Sequence, residues 1–370
     1  MALPAGMSPP VPGRAVRVVV PASSANLGPG FDSLGLALGV FDTYHAAVTA
    51  EPGLRIEVAG DSQGVPLDER HLVYATMRRA WSELGVPAPE GVRLHCASTV
   101  RQGRGMGSSA AAIVAGVAAA HGLCFGAESG PSRPEAQQRP VEPGAVPIHL
   151  DLVNDLASRL EGHPDNASAS VYGGATISWI GDEPAPPATS VTSVTSATPG
   201  DASPAESAGA PAVSVHSVRI PLHPDVTPLV IVPQVQLPTA TARAVLPAQV
   251  PHGEAALNSA RAGLLVLALS SRPDLLLPAT REWLHQEQRR SSFGGAMELV
   301  DELRAAGHAA VISGAGPSVL VLSADDSALA SVANLVPHDW QLLTPGIPEM
   351  GVCVERVTLG ELPGEGALPA

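Results

Sequence analysis

"RQGRGMGSSAAAIVAG", residues 101–116, places three glycines at every second position, then two serines, then a run of small apolar residues. This is the pattern of a loop that opens a helix. Free backbone N–H groups gather at a helix start, and the macrodipole there favours negative charge. Such an end binds phosphate without a cationic side chain. That matters because the chain contains no lysine: all 21 of its Lys+Arg residues are arginine. A GC-rich coding bias accounts for this, and for the abundant Ala, Gly and Pro. A Walker loop, GxxxxGK[ST], is excluded, as are lysine Schiff bases and pyridoxal phosphate anchors. A Rossmann fingerprint also fits poorly. The third glycine of "GRGMGS" comes too early, and no acidic residue follows at about 20 positions.

On either side of the loop, "VRLHCAS" (92–98) alternates like a strand, and residues 108–121 are apolar all round, as a fully buried helix is. "VRVVVPASSANLGPGFDSLGLAL" reads as a strand (16–20) running into a Gly/Pro/Asn turn, and "HAAVTA" and "LRIEVAG" as a strand pair around "EPG". Helical spacing marks 71–84 and 148–161. In the second half, strands are expected near 213–220, 228–233, 309–314, 318–323 and 351–358, with helices near 239–246, 254–270 and 292–306. Strands mixed with helices, hairpins included, point to an α+β protein rather than a regularly alternating parallel sheet. Residues 1–15 and 361–370 read as tails, the first of them disordered. Residues 126–147 read as a loop insertion and 182–217 as a disordered, low-complexity insertion rich in Pro, Ser, Thr and Ala.

With 370 residues, 45% of them hydrophobic and 15% charged, the chain is globular and long enough for two domains. A formal charge of −14 argues against nucleic-acid and anionic-membrane partners, which call for a basic face. Cys96, Cys124 and Cys353 are far apart and form no disulfide framework, which fits a reducing cytoplasm. The first residues lack the pattern of a secretory signal, and no stretch is apolar enough to span a membrane. A soluble cytoplasmic protein is expected.

"GRGMGSSAA" resembles the central motif of the GHMP kinases, in which a "PxxxGLGSSAA" loop wraps the ATP phosphates. Arg101 stands where that family usually has proline, and Met106 where it has leucine; the glycine–serine core is intact. "VVVPASSANLGPGFDSLGLAL" (18–38) resembles the family's N-terminal substrate motif, and "VISGAGPSVLVL" (311–322) its C-terminal glycine-rich motif. "SSANLGPGFDSLG", "EGHPDN" (161–166) and "TARAVLPAQV" (241–250) are similar to the homoserine kinase branch of high-GC bacteria. Mevalonate kinases, by contrast, typically carry a lysine in the first motif.

The resemblance implies a two-domain GHMP fold. Residues 16–181 would form an ATP-binding half like ribosomal protein S5 domain 2, and 218–360 a ferredoxin-like half, with the boundary in or near 182–217. It implies phosphorylation of the L-homoserine hydroxyl by ATP with Mg²⁺, a step of threonine biosynthesis; dimerisation is common in such enzymes. Arg101, Gln102, Gly103, Arg104, Gly105, Met106, Gly107, Ser108, Ser109, Ala110 and Ala111 would form the ATP loop. Ser109 and Glu161 would hold Mg²⁺. Asp32, with Asn26 beside it, would take the substrate ammonium, and Arg243 and Arg289 the carboxylate, with Arg290 an open alternative to Arg289. A guanidinium suits a carboxylate because it donates two parallel hydrogen bonds. His163, Asp165 and Gly314 would line the amino-acid pocket. Asn166 would face the reacting hydroxyl, and Asp165 is a candidate general base. Another GHMP small-molecule kinase, or an ATP-binding regulator without turnover, are the competing readings.

Overall fold

Val16, Val18 and Val20 fall on one side of an extended chain, and their burial makes "AVRVVV" a strand. A computed structural model describes residues 7–60, 64–125, 145–181, 214–325 and 327–363, and runs this strand over β1 (Ala15–Ala25). There follow β2 (Leu34–Val48), β3 (Gly53–Gly60), α1 (Leu72–Glu83), β4 (Gly91–Ser98), α2 (Ser108–Leu123), α3 (Leu150–Glu161), α4 (Pro164–Tyr172), β5 (Ala175–Gly181) and β6 (Ser214–Ile220). Next come β7 (Thr227–Val232), α5 (Thr239–Ala244), α6 (His252–Ser270), α7 (Leu276–Ala279), α8 (Gln286–Arg289) and α9 (Ala296–Ala305). The last elements are β8 (Ala309–Ile312), β9 (Val319–Ser323), α10 (Ala328–Ala333), β10 (Gln341–Leu343) and β11 (Cys353–Val357).

Two sheets result. In the first, β11, β1, β2, β4 and β3 lie side by side, and β5 and β6 continue from the start of β2. The second runs β10, β7, β9, β8, all antiparallel. The strand pair expected around "EPG" does not form: β4 lies between β2 and β3, and β3 is parallel to β4. A parallel neighbour needs a crossover, and α1 supplies it. Its Val73, Met77, Ala80 and Trp81 bury onto the sheet and α2, a larger apolar gain than a bare hairpin offers.

Helix α2 has 13 of its 16 residues buried, as its all-round apolar sequence implies. Its small side chains let it pass close to α1. A Cβ on Gly116 would come within 2.7 Å of both Thr76 Cβ and the Val73 carbonyl oxygen. One core lies between the first sheet and α1, α2 and α3. A second, with Leu27, Leu36, Val230, Leu265 and Leu320, lies between the two sheets. The loop 99–107 and the turn 26–32 meet at the rim of this second core, through Val100, Met106 and Leu27.

The expected tails and insertions are shorter where the chain is described. Residues 1–6 lie outside the described residues, but Met7 is buried against Phe125, and Ser8 N–H donates to the Cys124 carbonyl at 2.7 Å. An apolar side chain at position 7 has a core edge to cover, so it is not free tail. Residues 182–213 of the low-complexity insertion lie outside the described residues, whereas 214–217 open β6; Ser217 Oγ accepts from Asn154 Nδ2 at 3.0 Å. Residues 126–144 also lie outside them, and Ala145 bridges to Glu355. At the other end 364–370 lie outside, while Leu362 packs with Ala15 and Ala47. No helix among the described residues is long and apolar enough to cross a membrane.

Candidate active site

The three loop glycines have left-handed backbones: φ is +63° at Gly103, +74° at Gly105 and +69° at Gly107. An L side chain in that region costs about 1–2 kcal/mol. Two of these positions also lack space, because a Cβ on Gly105 would strike the Ser313 carbonyl and one on Gly107 would strike Ser23 Oγ. The loop is held from both halves of the protein. Gly105 O accepts from Ser313 Oγ at 2.6 Å, Gly103 O from Leu237 N at 2.7 Å, and Met106 O from Ser23 N at 3.1 Å. Helix α2 then starts with no side-chain cap, so its first N–H groups have no partner within the helix.

Asp42, 1% exposed, anchors the root of this loop. Its carboxylate accepts from Thr99 N at 2.7 Å, Val100 N at 2.9 Å, Tyr44 OH at 3.0 Å and Ser98 Oγ at 3.1 Å. Burial nonetheless raises its pKa above the usual aspartate value, the hydrogen bonds working the other way. Asp42→Ala strands the buried Val100 N–H and the partly buried Thr99 N–H, and should cost about 2–4 kcal/mol, a Tm drop of roughly 4–12 °C. Thermal unfolding checks this; a Tm within about 1 °C of wild type would show that the loop root holds without the carboxylate.

The second wall comes from the junction of α3 and α4. Gly162, at φ +88°, ends α3, and Pro164 starts α4 at a position where a missing N–H costs nothing. This tight turn brings four polar side chains to the start of α2. Ser109 Oγ donates to Glu161 Oε2 at 2.9 Å. His163 Nδ1 meets Asp165 Oδ1 at 2.7 Å, the oxygen that also accepts Asn166 N–H at 2.7 Å. Asn166 Oδ1 accepts from Ser23 Oγ at 3.0 Å. Burial raises the Glu161 pKa. Burial pulls His163 down, but Asp165 and Glu161 together outweigh it and raise its pKa above the usual histidine value.

The third wall is the turn "NLGPGFD". Asn26, Leu27 and Asp32 have positive φ without being glycine, a local strain that persists because partners over-determine it. Asn26 Nδ2 donates to Gly314 O at 2.9 Å and its Oδ1 accepts Asp32 N–H at 3.1 Å. The Asp32 carboxylate takes a two-pronged contact from Arg243, at 2.5 and 3.2 Å. Arg289 is 1% exposed, and its Nε donates to Ala242 O at 2.8 Å. Burial, then the Arg243 charge, lowers its pKa to about 10. Arg290 lies apart, tied to Glu287 at 2.8 Å and Asp301 at 3.0 Å.

One cavity joins the three walls. Asn26, Gly103, Gly105, Gly107, Ser108, Ser109, Glu161, His163, Asp165, Asn166, Arg243, Arg289 and Gly314 line it. Asp32 is not in that lining; its partner Arg243 is. Arg101, Gln102, Arg104, Met106, Ala110 and Ala111 do not line it. Met106, Ala110 and Ala111 are buried in the cores, and Arg104 turns away to the Pro233 and Gln234 carbonyls at 3.0 and 2.8 Å. Phe31, Leu237 and Thr239 also line it without having been picked out in the sequence; a lone Phe reads as core, and only its place in "GFD" could have flagged it. Ligand atoms of Asp32, His163 and Asp165 lie within 4.8 Å of one another, a spacing that would admit a metal ion. The Arg243 guanidinium already occupies Asp32, so a further cation there meets a like charge.

A phosphate-binding loop beside a polar cavity rich in arginine and carboxylate suits transfer of a phosphoryl group to a small charged molecule. Comparison with known proteins agrees. Residues 71–174 match the GHMP kinases N terminal domain and 264–340 the GHMP kinases C terminal model. The chain is 41% identical to the homoserine kinase of Streptomyces coelicolor, over 92% of this chain and 94% of that one. It is 44% identical to that of Mycolicibacterium vanbaalenii, over 85% and 86%. Its fold is similar to the crystal structure of homoserine kinase from Cytophaga hutchinsonii, with a TM-score of 0.68 over 92% of this chain and 97% of that one, at 22% identity. Identity of this extent over nearly the whole length places the chain in the homoserine kinase family of the GHMP kinases.

Proposed function

We propose that this protein phosphorylates the hydroxyl of L-homoserine with ATP, the kinase step of threonine biosynthesis. The observation that carries the reading is that Arg243 and Arg289 both line the cavity that the phosphate loop opens onto, with Arg243 paired to Asp32. Homoserine is a zwitterion. Its ammonium replaces Arg243 at Asp32, and its carboxylate takes Arg243 and Arg289, so every charge that loses a partner gains one. A ligand with a single charge leaves one side of the pair alone, which is costly in a partly buried site.

The ATP phosphates lie on the N–H groups at the start of α2 and along Gly103, Gly105 and Gly107; Ser108 lies beside them. Arg101, Gln102, Arg104, Met106, Ala110 and Ala111 shape the loop without reaching the ligand. Glu161 and Ser109 fit Mg²⁺: both offer hard oxygen atoms, and the buried Glu161 carboxylate has no full cation within hydrogen-bond reach among the described residues. Bound there, Mg²⁺ would neutralise charge on the transferring phosphoryl group. His163, Asn26 and Gly314 bound the amino-acid end. Asn166, fixed by Ser23, orients the hydroxyl. Its oxygen attacks the γ-phosphorus as the bond to ADP breaks. Asp165 remains the candidate to accept the hydroxyl proton through Oδ2, since Oδ1 already accepts two hydrogen bonds. For the halves of the chain, we place the boundary just after Ile220, where β6 ends, rather than within 182–217, with β11 of the second half returning to the first sheet. We take the enzyme to work in the cytoplasm.

A coupled ADP-release assay tests the reading, with L-homoserine, L-serine, mevalonate, galactose, the amino alcohol that lacks the carboxylate, and the hydroxy acid that lacks the amine. Turnover should be confined to L-homoserine, with each singly charged analogue at least about 30-fold poorer in kcat/KM. Equal turnover of mevalonate or galactose would replace the substrate assignment. ATP binding with no turnover of any alcohol would point to a regulator instead.

A further inference from the structure

Phe31 sits where the two cations of the amino-acid pocket converge. The Arg243 guanidinium carbon lies 5.7 Å from its ring centroid and that of Arg289 5.5 Å. The two guanidinium groups repel each other; each lowers the case for keeping the other in place. Among the described residues, Arg289 has a hydrogen-bond partner at Nε alone, so nothing on its outer nitrogens opposes a swing away from Arg243. An aromatic face carries partial negative charge and attracts cations at this range.

The ring is itself held. His285 stacks on it at 5.0 Å with 23° between the planes, and is fully buried. His285 Nε2 lies 2.9 Å from the Gly28 carbonyl, which can only accept, so Nε2 carries the proton and donates. Burial lowers the His285 pKa, so the imidazole is neutral and adds no third positive charge. Glu282 fixes the histidine backbone, accepting from Leu284 N at 2.6 Å, His285 N at 2.9 Å and Gln286 N at 2.8 Å. The same three bonds start helix α8, which ends at Arg289. One buried carboxylate thereby sets both the platform and one of the cations upon it.

We propose that Phe31 is a positioning residue whose ring face holds Arg243 and Arg289 together for the substrate carboxylate, with His285 as its backing. This rests on the homoserine reading of the site. It separates the ring's electrostatic role from its role as apolar filler.

The test uses the full-length enzyme. Phe31→Leu keeps an apolar side chain of similar size and removes the π face; the KM for L-homoserine should rise about tenfold, with the KM for ATP changed by less than about twofold. A second series replaces Phe31 by phenylalanines carrying successive ring fluorines, which drain the ring face while nearly preserving its shape. The logarithm of KM for L-homoserine should climb steadily with fluorination, while Tm stays level. A flat series with active wild type would overturn the proposal, whatever Phe31→Leu does, because a packing role ignores fluorine. A wild type that turns over another alcohol and not homoserine would overturn the substrate reading, and this inference with it.

Discussion

Arg289→Met is expected to raise the KM for L-homoserine about a hundredfold, leaving the KM for ATP within about twofold. Methionine keeps the length and apolar stem of the side chain and removes only the fork. Arg289 is 1% exposed, its Nε is spent on Ala242 O, and the residue lines the cavity. A carboxylate arriving there meets a cation already stripped of water, which makes the charge-assisted bonds strong. The same burial, with the Arg243 charge beside it, leaves the guanidinium poorly served before substrate arrives and lowers its pKa to about 10. Removing it should therefore leave the Tm of the ligand-free enzyme unchanged or higher while binding collapses, a trade of stability against function. Arg290→Met is the control. Its partners Glu287 and Asp301 are surface groups, so its KM should stay within about twofold of wild type. The reverse pattern, with Arg290→Met impaired and Arg289→Met normal, would give the carboxylate to the other arginine.

Gly107→Ala should lower kcat/KM for ATP by roughly two to three orders of magnitude, for two reasons that add. The backbone at φ +69° disfavours any L side chain. The new methyl would also strike Ser23 Oγ and come within 3.0 Å of Asn166 Oδ1, breaking the bond that orients Asn166. A displacement of about 1 Å at reacting groups costs on the order of a hundredfold. Gly103→Ala shares the strain but meets Gln236 Cβ only at 3.4 Å, so its loss should be clearly smaller. Gly263→Ala, on α6 with open space around it, should leave kcat/KM unchanged and stabilise slightly. Steady-state kinetics on the three variants decides. Equal losses at Gly103 and Gly107 would mean that strain alone governs the loop and that the contact with Asn166 is incidental.

The phosphate loop could be read from sequence because its physics is local. Glycines at alternate positions announce left-handed backbone, and the small residues after them announce a helix buried on all sides. The order of strands could not be read, since β3 prefers β4 to its chain neighbour β2 for reasons that lie in how α1 packs. Asp42 looked like any strand-borne acid; its partners at Ser98, Thr99 and Val100 are more than fifty positions away. Glu282, His285 and Phe31 failed to stand out for the same reason, because the Gly28 carbonyl that meets His285 is 257 residues off. Arg289 and Arg290 are adjacent in a polar stretch, and nothing local separates them. Only the four-residue turn of α8 decides which one faces inward.

The pairing of β11 with β1 carries a consequence for how the protein is made. Arg17 and Glu355, which join across these strands, are 338 positions apart. Until the ribosome has released nearly the whole chain, β1 is the border of its sheet, with its hydrogen-bonding edge open. The half that carries the nucleotide loop is thus the first to be synthesised and among the last to be closed. During that interval a nascent chain with an unprotected border is open to mispairing, and the finishing strand works as a seal that arrives only when both halves exist to be joined.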